Sequence, residues 1–191
     1  MEYKNKSAEI TELTDSKILQ ILLEFNKLKN LYRQGWLKSG LDKNKCESVA
    51  DHSFSTTITA LFLAEHFQLE LNLEKTIIMA LIHETGEIVI GDITPHDDIT
   101  AAKKYQMELE SVKKIFSGWK YQTKFLNIWK EFEEGKTVEA RYVKALDKLD
   151  MALQAKIYEM NEKKSMRNFY ENLSLNLPED LAELLKEIKN L

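Results

Sequence analysis

Ala80-Leu81-Ile82-His83-Glu84-Thr85-Gly86-Glu87-Ile88-Val89-Ile90-Gly91-Asp92-Ile93-Thr94-Pro95 is the stretch on which the reading of this chain turns. An apolar run from Ile77 to Ile82 leads directly into the adjacent pair His83 and Glu84, and the carboxylates of Glu87 and Asp92 follow. Burying unpaired acids and an imidazole behind such a run is costly. A divalent cation would offset that cost, because imidazole and carboxylate together make an N/O ligand set. Read as helix, His83 and Glu87 stand four apart on one face, with Glu84 beside His83. Gly91 fits a helix end, Asp92 falls in the turn beyond, and Pro95 blocks continuation. The stretch reads as an active centre, with the rest of the chain as its walls.

Composition narrows what surrounds it. The 191 residues suit one domain with a real core. Hydrophobic residues at 43% and charged residues at 30% are an ordinary soluble-globular balance, and 6 Gly with 2 Pro favour long helices over many turns. A net charge of −4 argues against an overall field that would recruit nucleic acid or anionic membrane. The lone cysteine, Cys46, excludes an internal disulfide framework and a Cys-rich zinc site, and it points to the cytoplasm. Residues 1–15 carry no signal-peptide h-region, and no apolar run approaches the ~20 residues of a membrane span.

Outward from the centre, the spacing predicts a helix opened by Thr14-Asp15-Ser16, with Ile18, Leu19, Leu22, Phe25, Leu28 and Leu31 as a core wall. Tyr32-Arg33-Gln34-Gly35-Trp36 breaks it, where Arg33 reads most plainly as a surface charge and Trp36 as packing. Glu47-Ser48-Val49-Ala50-Asp51-His52-Ser53 opens a second helix kept amphipathic by Phe54, Ile58, Leu61, Phe62 and Phe67. His52 and His66, taken alone, read as a cap or core residue rather than a ligand. A third helix begins at Leu73-Glu74 and carries His83 and Glu84; Gly86 within it implies close packing or room for a ligand. His96-Asp97-Asp98 reads as an exposed loop.

Helices over 99–117 and 121–134 follow, their Lys and Glu making a solvated face. Thr137 caps a helix over about 138–160, where Asp147, Asp150 and Gln154 lie among apolar residues instead of on the charged face. Such acids need a partner, a basic residue or a metal. Pro178 starts a last helix with Leu181, Leu184, Leu185 and Ile188 on one face.

In order, these residues form a pattern: a His at a helix start, a His–acid pair about thirty residues on, and an Asp on a late helix. The pattern resembles the HD-domain superfamily of metal-dependent phosphohydrolases, and more closely its small 5′-deoxynucleotidases. The resemblance spans residues ~30–155 and rests on Arg33-x-Gly35-Trp36, Glu47-Ser-Val-x-Asp51-His52, His83-Glu84-x-x-Glu87-x-x-x-Gly91-Asp92-x-x-Pro95 and Leu146-Asp147-Lys-Leu-Asp150. It implies an all-α helical bundle, a single HD domain over 1–191 of roughly seven to nine helices, with helices in 165–191 packed on the core.

The resemblance implies further that His52, His83, Glu84 and Asp147 bind one divalent cation: Co, Mn, Mg, Zn or Fe. Glu87 and Asp92 would stand at the reacting phosphate, orienting or deprotonating water or holding a second metal; Arg33 and Trp36 would contact the nucleotide. The implied reaction is release of phosphate from (deoxy)nucleoside 5′-monophosphates by a cytoplasmic homodimer that engages neither nucleic acid nor membrane. Phosphoryl transfer asks mainly for positioning and charge neutralisation, so Cys46 is not needed as a nucleophile. One departure is Glu84, where the family has Asp. The longer side chain leaves open a competent ligand, a changed metal preference, or a regulatory protein that binds metal and nucleotide without turnover. A di-iron oxygenase, the remaining alternative, needs more histidine ligands than His66 and His96 offer at their positions.

Overall fold

The computed structural model describes residues 10, 13–171, 173 and 179–191. Among them no strand forms, and extended pairing is limited to one antiparallel bridge between Tyr32 and Ser48. The chain is all-α: α1 Lys17–Asn26, α2 Gln34–Lys38, α3 Val49–His66, α4 Leu73–Ile82, α5 Glu87–Ile90, α6 Ala101–Phe116, α7 Gln122–Glu134, α8 Val138–Glu162 and α9 Glu179–Asn190. Short 3-10 turns occupy Lys27–Asn30, His83–Gly86 and Arg167–Phe169. Pro178 lies outside the described residues. No described helix is long and apolar enough to cross a membrane.

Two compact units divide the chain, one built from the segment up to Ser53 with Ile82–Trp129, the other from Phe54–Leu81 with Lys130–Leu191. In the first, Thr100 Oγ1 caps α6 by accepting the Lys103 N–H, and Val112, Ile115 and Phe116 are buried along that helix. Phe116 anchors an aromatic cluster with Phe25, Trp119 and Phe125, ring centroids 5.6–6.2 Å away. The expected core wall at α1 is only partly realised: Ile21 is buried and Phe25 meets Phe116, but Ile18, Leu19 and Leu22 are exposed. The α-helix stops at Asn26, and the tighter 3-10 turn after it rotates the face that Leu28 buries.

In the second unit, Thr137 caps α8 as expected, accepting the Ala140 N–H at 3.2 Å. Tyr142, Ala145, Leu146 and Leu149 are buried along it, and α9 packs against α8 with Leu181, Leu185 and Ile188 buried. Lys75 joins α4, α7 and α8 through Glu131 at 2.8 Å and Glu139 at 3.0 Å. The face of α3 differs from the expected one. Thr56, Thr57, Ala60 and Ala64 point inward, while Phe54 (65% exposed) and Phe62 (65%) face out. Small residues permit close approach: the Tyr142 hydroxyl donates to the Ala60 backbone carbonyl at 3.2 Å, which a bulky side chain there would obstruct.

Candidate metal centre

The start of α3 is fixed by a reciprocal cap. Ser48 donates its N–H and O–H to Asp51 Oδ2 at 2.8 and 2.7 Å, and the Asp51 N–H returns to Ser48 Oγ at 3.2 Å. One residue on, His52 is completely buried. The second imidazole comes from the end of α4, where the helix expected to run on to Gly91 tightens into the His83–Gly86 turn and resumes as α5. Gly86 permits the turn's close approach to α6: a Cβ there would lie 2.6 Å from Glu108 Cβ. The turn is drawn against α6, and Gly86 serves close packing rather than a ligand. Trp129 Nε1 donates to the His83 carbonyl at 3.2 Å and steadies the turn. Three residues per turn align Glu84 with Glu87, in place of the His83–Glu87 face expected of an α-helix. Gly91 ends α5 at φ 85°, a backbone that favours glycine.

The donor atoms converge. His52 Nε2 and His83 Nε2 are 3.3 Å apart, and Glu84 Oε1 lies 3.6 Å from the first and 3.5 Å from the second. Donors about 2.1 Å from a common cation are separated by about 3.0–3.4 Å in octahedral or tetrahedral geometry, so a small inward shift of Glu84 brings the triangle to metal coordination. Asp147, the fourth expected ligand, lies on α8 in the second unit. The longer side chain at Glu84 reaches the imidazoles, and the same oxygen accepts Arg33 Nη1 at 3.0 Å.

Glu87 is 2% exposed, and its Oε2 has no hydrogen-bond partner among the described residues. Burial, then the carboxylates of Glu84 and Asp92, push its pKa well above the ordinary glutamate value, against the opposing pull of Arg33 and Lys104. Four carboxylates, Glu84, Glu87, Asp92 and Glu108, thus act together with two cations, Arg33 and Lys104. This excess of carboxylate over cation, with the donor triangle, is the fit of the residues to a metal.

Asp92 is oriented from outside, its Oδ2 accepting the Gln34 N–H at 2.5 Å. Trp36 is 2% exposed with its Nε1 donating to Glu47 at 2.7 Å. The loop around His96 is exposed as expected, and Asp97 there accepts Lys38 Nζ at 2.7 Å. His66 is exposed beside Phe67. Asp150, read as needing a partner, accepts the Ser55 hydroxyl. Cys46 is buried, and burial followed by Glu47 pushes its thiol up to about 11, so it is no nucleophile at neutral pH. Lys104 and Glu108 were not singled out by the sequence; their i,i+4 spacing on α6 was the available signal.

A profile of the HD domain family matches residues 25–189. The chain is 34% identical over 169 residues to 5′-deoxynucleotidase HDDC2 of Dictyostelium discoideum, covering 82% of this chain and 88% of that one. It is 31% identical to the Homo sapiens protein of the same name, with 90% and 84% covered. Among solved structures, a conserved hypothetical protein from Pyrococcus furiosus matches with a TM-score of 0.75 and 31% identity over 91% of this chain and 99% of that one. A match that runs through both units, joined by relatives alike over most of their own length, makes this chain a member of the HD domain family.

Proposed function

We infer that this protein is a metal-dependent phosphohydrolase that releases phosphate from nucleoside 5′-monophosphates, deoxynucleotides foremost. The observation that carries the reading is the donor triangle of His52, His83 and Glu84 beside a buried, unpartnered Glu87 oxygen. The substrate class follows the 5′-deoxynucleotidase relatives. We assign His52, His83, Glu84 and Asp147 to one divalent cation. When bound, that cation supplies charge to a phosphate oxygen and acidifies water.

The chain's own groups do the rest. Glu87, buried with one carboxylate oxygen unpartnered among the described residues, takes a proton from the attacking water. Asp92, its carboxylate fixed by the Gln34 N–H, orients that water or helps hold a second cation. Arg33 grips the phosphate through its planar guanidinium. Trp36, buried with its Nε1 on Glu47, supports the nucleoside side from behind. We read the two units as one HD domain, because the family match covers both. The buried, protonated Cys46 fits a cytoplasmic protein. The exposed Phe54, Ile58 and Phe62 of α3 fit a homodimer.

The test is phosphate release by chelator-stripped protein reconstituted separately with Co²⁺, Mn²⁺, Mg²⁺, Zn²⁺ and Fe²⁺, offered ribo- and deoxynucleoside monophosphates. Metal-dependent release is expected, abolished in His83→Ala and reduced at least about 100-fold in Glu87→Ala with metal retained. Equal release from the His83→Ala control, or none with any metal, overturns the reading. A protein that binds metal without releasing phosphate would leave the binding role.

A further inference from the structure

Lys104 stands at the first turn of α6, in a helix whose Lys and Glu otherwise read as a solvated face. Its ammonium donates to the Ile93 backbone carbonyl at 3.1 Å and lies 3.5 Å from Glu108 Oε1, one turn along. Glu108 is 7% exposed, and its Cβ and Cγ are the atoms that press on Gly86. Ile93 follows Asp92 directly, and Gly86 closes the turn that carries His83 and Glu84. One lysine thus touches both stretches of chain that bear the site's acids, the 83–87 turn through Glu108 and the 91–95 turn through a carbonyl.

Its surroundings are strongly acidic. Burial alone would lower the lysine pKa, but the carboxylates of Glu108, Glu87, Glu84 and Asp92 outweigh it and hold the ammonium above its ordinary value. Lys104 is therefore a permanent positive charge on the edge of the metal centre. Only a third of the side chain is exposed, so solvent screens that charge incompletely. Arg33 reaches Glu84 directly at 3.0 Å, whereas Lys104 works through the backbone at Ile93 and through Glu108. The two cations differ in role: one is at the ligand oxygen, the other behind the turns.

We propose that Lys104 is a positioning residue of this site: pinned between the Ile93 carbonyl and the Glu108 carboxylate, it holds the 91–95 turn against the His83–Gly86 turn and sets the charge against which the cation binds. The proposal rests on the metal reading above and makes two demands of opposite sign. Loss of the ammonium removes repulsion toward a dication, so metal affinity rises. The same loss releases the Ile93–Thr94 peptide, next to Asp92, so turnover falls. A substitution that merely damages the fold would lower both.

The experiment measures Mn²⁺ affinity by calorimetry, and separately kcat and KM for a deoxynucleoside monophosphate, in wild type, Lys104→Met and Lys104→Arg. Lys104→Met is expected to bind Mn²⁺ about three- to ten-fold more tightly and to lose about ten- to a hundred-fold in kcat with a small change in KM. Lys104→Arg keeps charge and donor and is expected to restore both. Weaker or unchanged Mn²⁺ binding in Lys104→Met overturns the proposal, as does wild-type kcat. If Lys104→Met does not fold, Lys104→Gln makes the same charge comparison and is judged by the same outcomes. The calorimetric arm stands without catalysis: a wild type that binds Mn²⁺ but releases no phosphate would defeat the functional reading while the affinity shift still decided Lys104.

Discussion

Glu84 and Gly86 show how little room separates this site from failure. Glu84 reaches both imidazoles and Arg33 with one oxygen, and Gly86 lets its turn lie on α6. A methyl group at 86 would meet Glu108 Cβ at 2.6 Å and Cγ at 2.7 Å, with no flexible end to move aside. Gly86→Ala is expected to cost about 1–3 kcal/mol, read as a lowered urea midpoint, and to displace Glu84 enough to weaken metal binding. An unchanged midpoint would show that α6 yields. At this scale the residue types were legible: an apolar run ending in His83-Glu84 with further acids has few meanings other than a metal. The reach of Glu84 was not, because it depends on the 3-10 turn. Nor was Lys104, since a lysine four residues before a glutamate is how a solvated helix face is also written.

Elements fared unevenly for reasons that lie in packing. Few glycines and prolines and clear 3.6-residue spacing made the helices legible, and the caps at Thr100 and Thr137 begin α6 and α8 by ordinary hydrogen bonds. The inward face of α3 was misread because periodicity identifies a stripe of large apolar residues, while close helix contact selects small ones such as Ala60 and Ala64. The end of α8 offers a test of charge at this scale. Glu159 accepts the Met166 N–H at 2.7 Å and the Tyr170 O–H at 2.8 Å, tying the chain that follows back to the helix. Burial pushes its pKa up, but those donors and Lys156 pull it below the ordinary value. A lowered carboxylate pKa means that the folded state favours the ionised form. The added stability is then complete above the unfolded value and lost as pH falls through the folded one. Glu159→Gln is expected to lower the thermal midpoint by about 2–4 °C at pH 7, the gap narrowing below about pH 4. A gap that persists unchanged into acid would assign the effect to shape rather than charge.

For the whole molecule, the two units each draw on stretches far apart in sequence, and linear reading detects helices more readily than such interleaving. Phe54, Ile58 and Phe62, spaced four apart on α3, leave a row of large apolar side chains in water. If a second copy covers them, Phe54→Ser with Phe62→Ser should convert a dimer to a monomer by light scattering without altering helix content. A wild type monomeric at every concentration would remove the homodimer. The ties between the 33–38 and 84–97 stretches carry a different consequence. Arg33–Glu84, Gln34–Asp92 and Lys38–Asp97 close loops of 51, 58 and 59 residues. Loop entropy grows slowly with length, so once one tie has closed, the others add little further cost. They fasten like a zip. A chain emerging from the ribosome cannot fasten these ties until residue 97 is out, and Asp147 on α8 emerges later still.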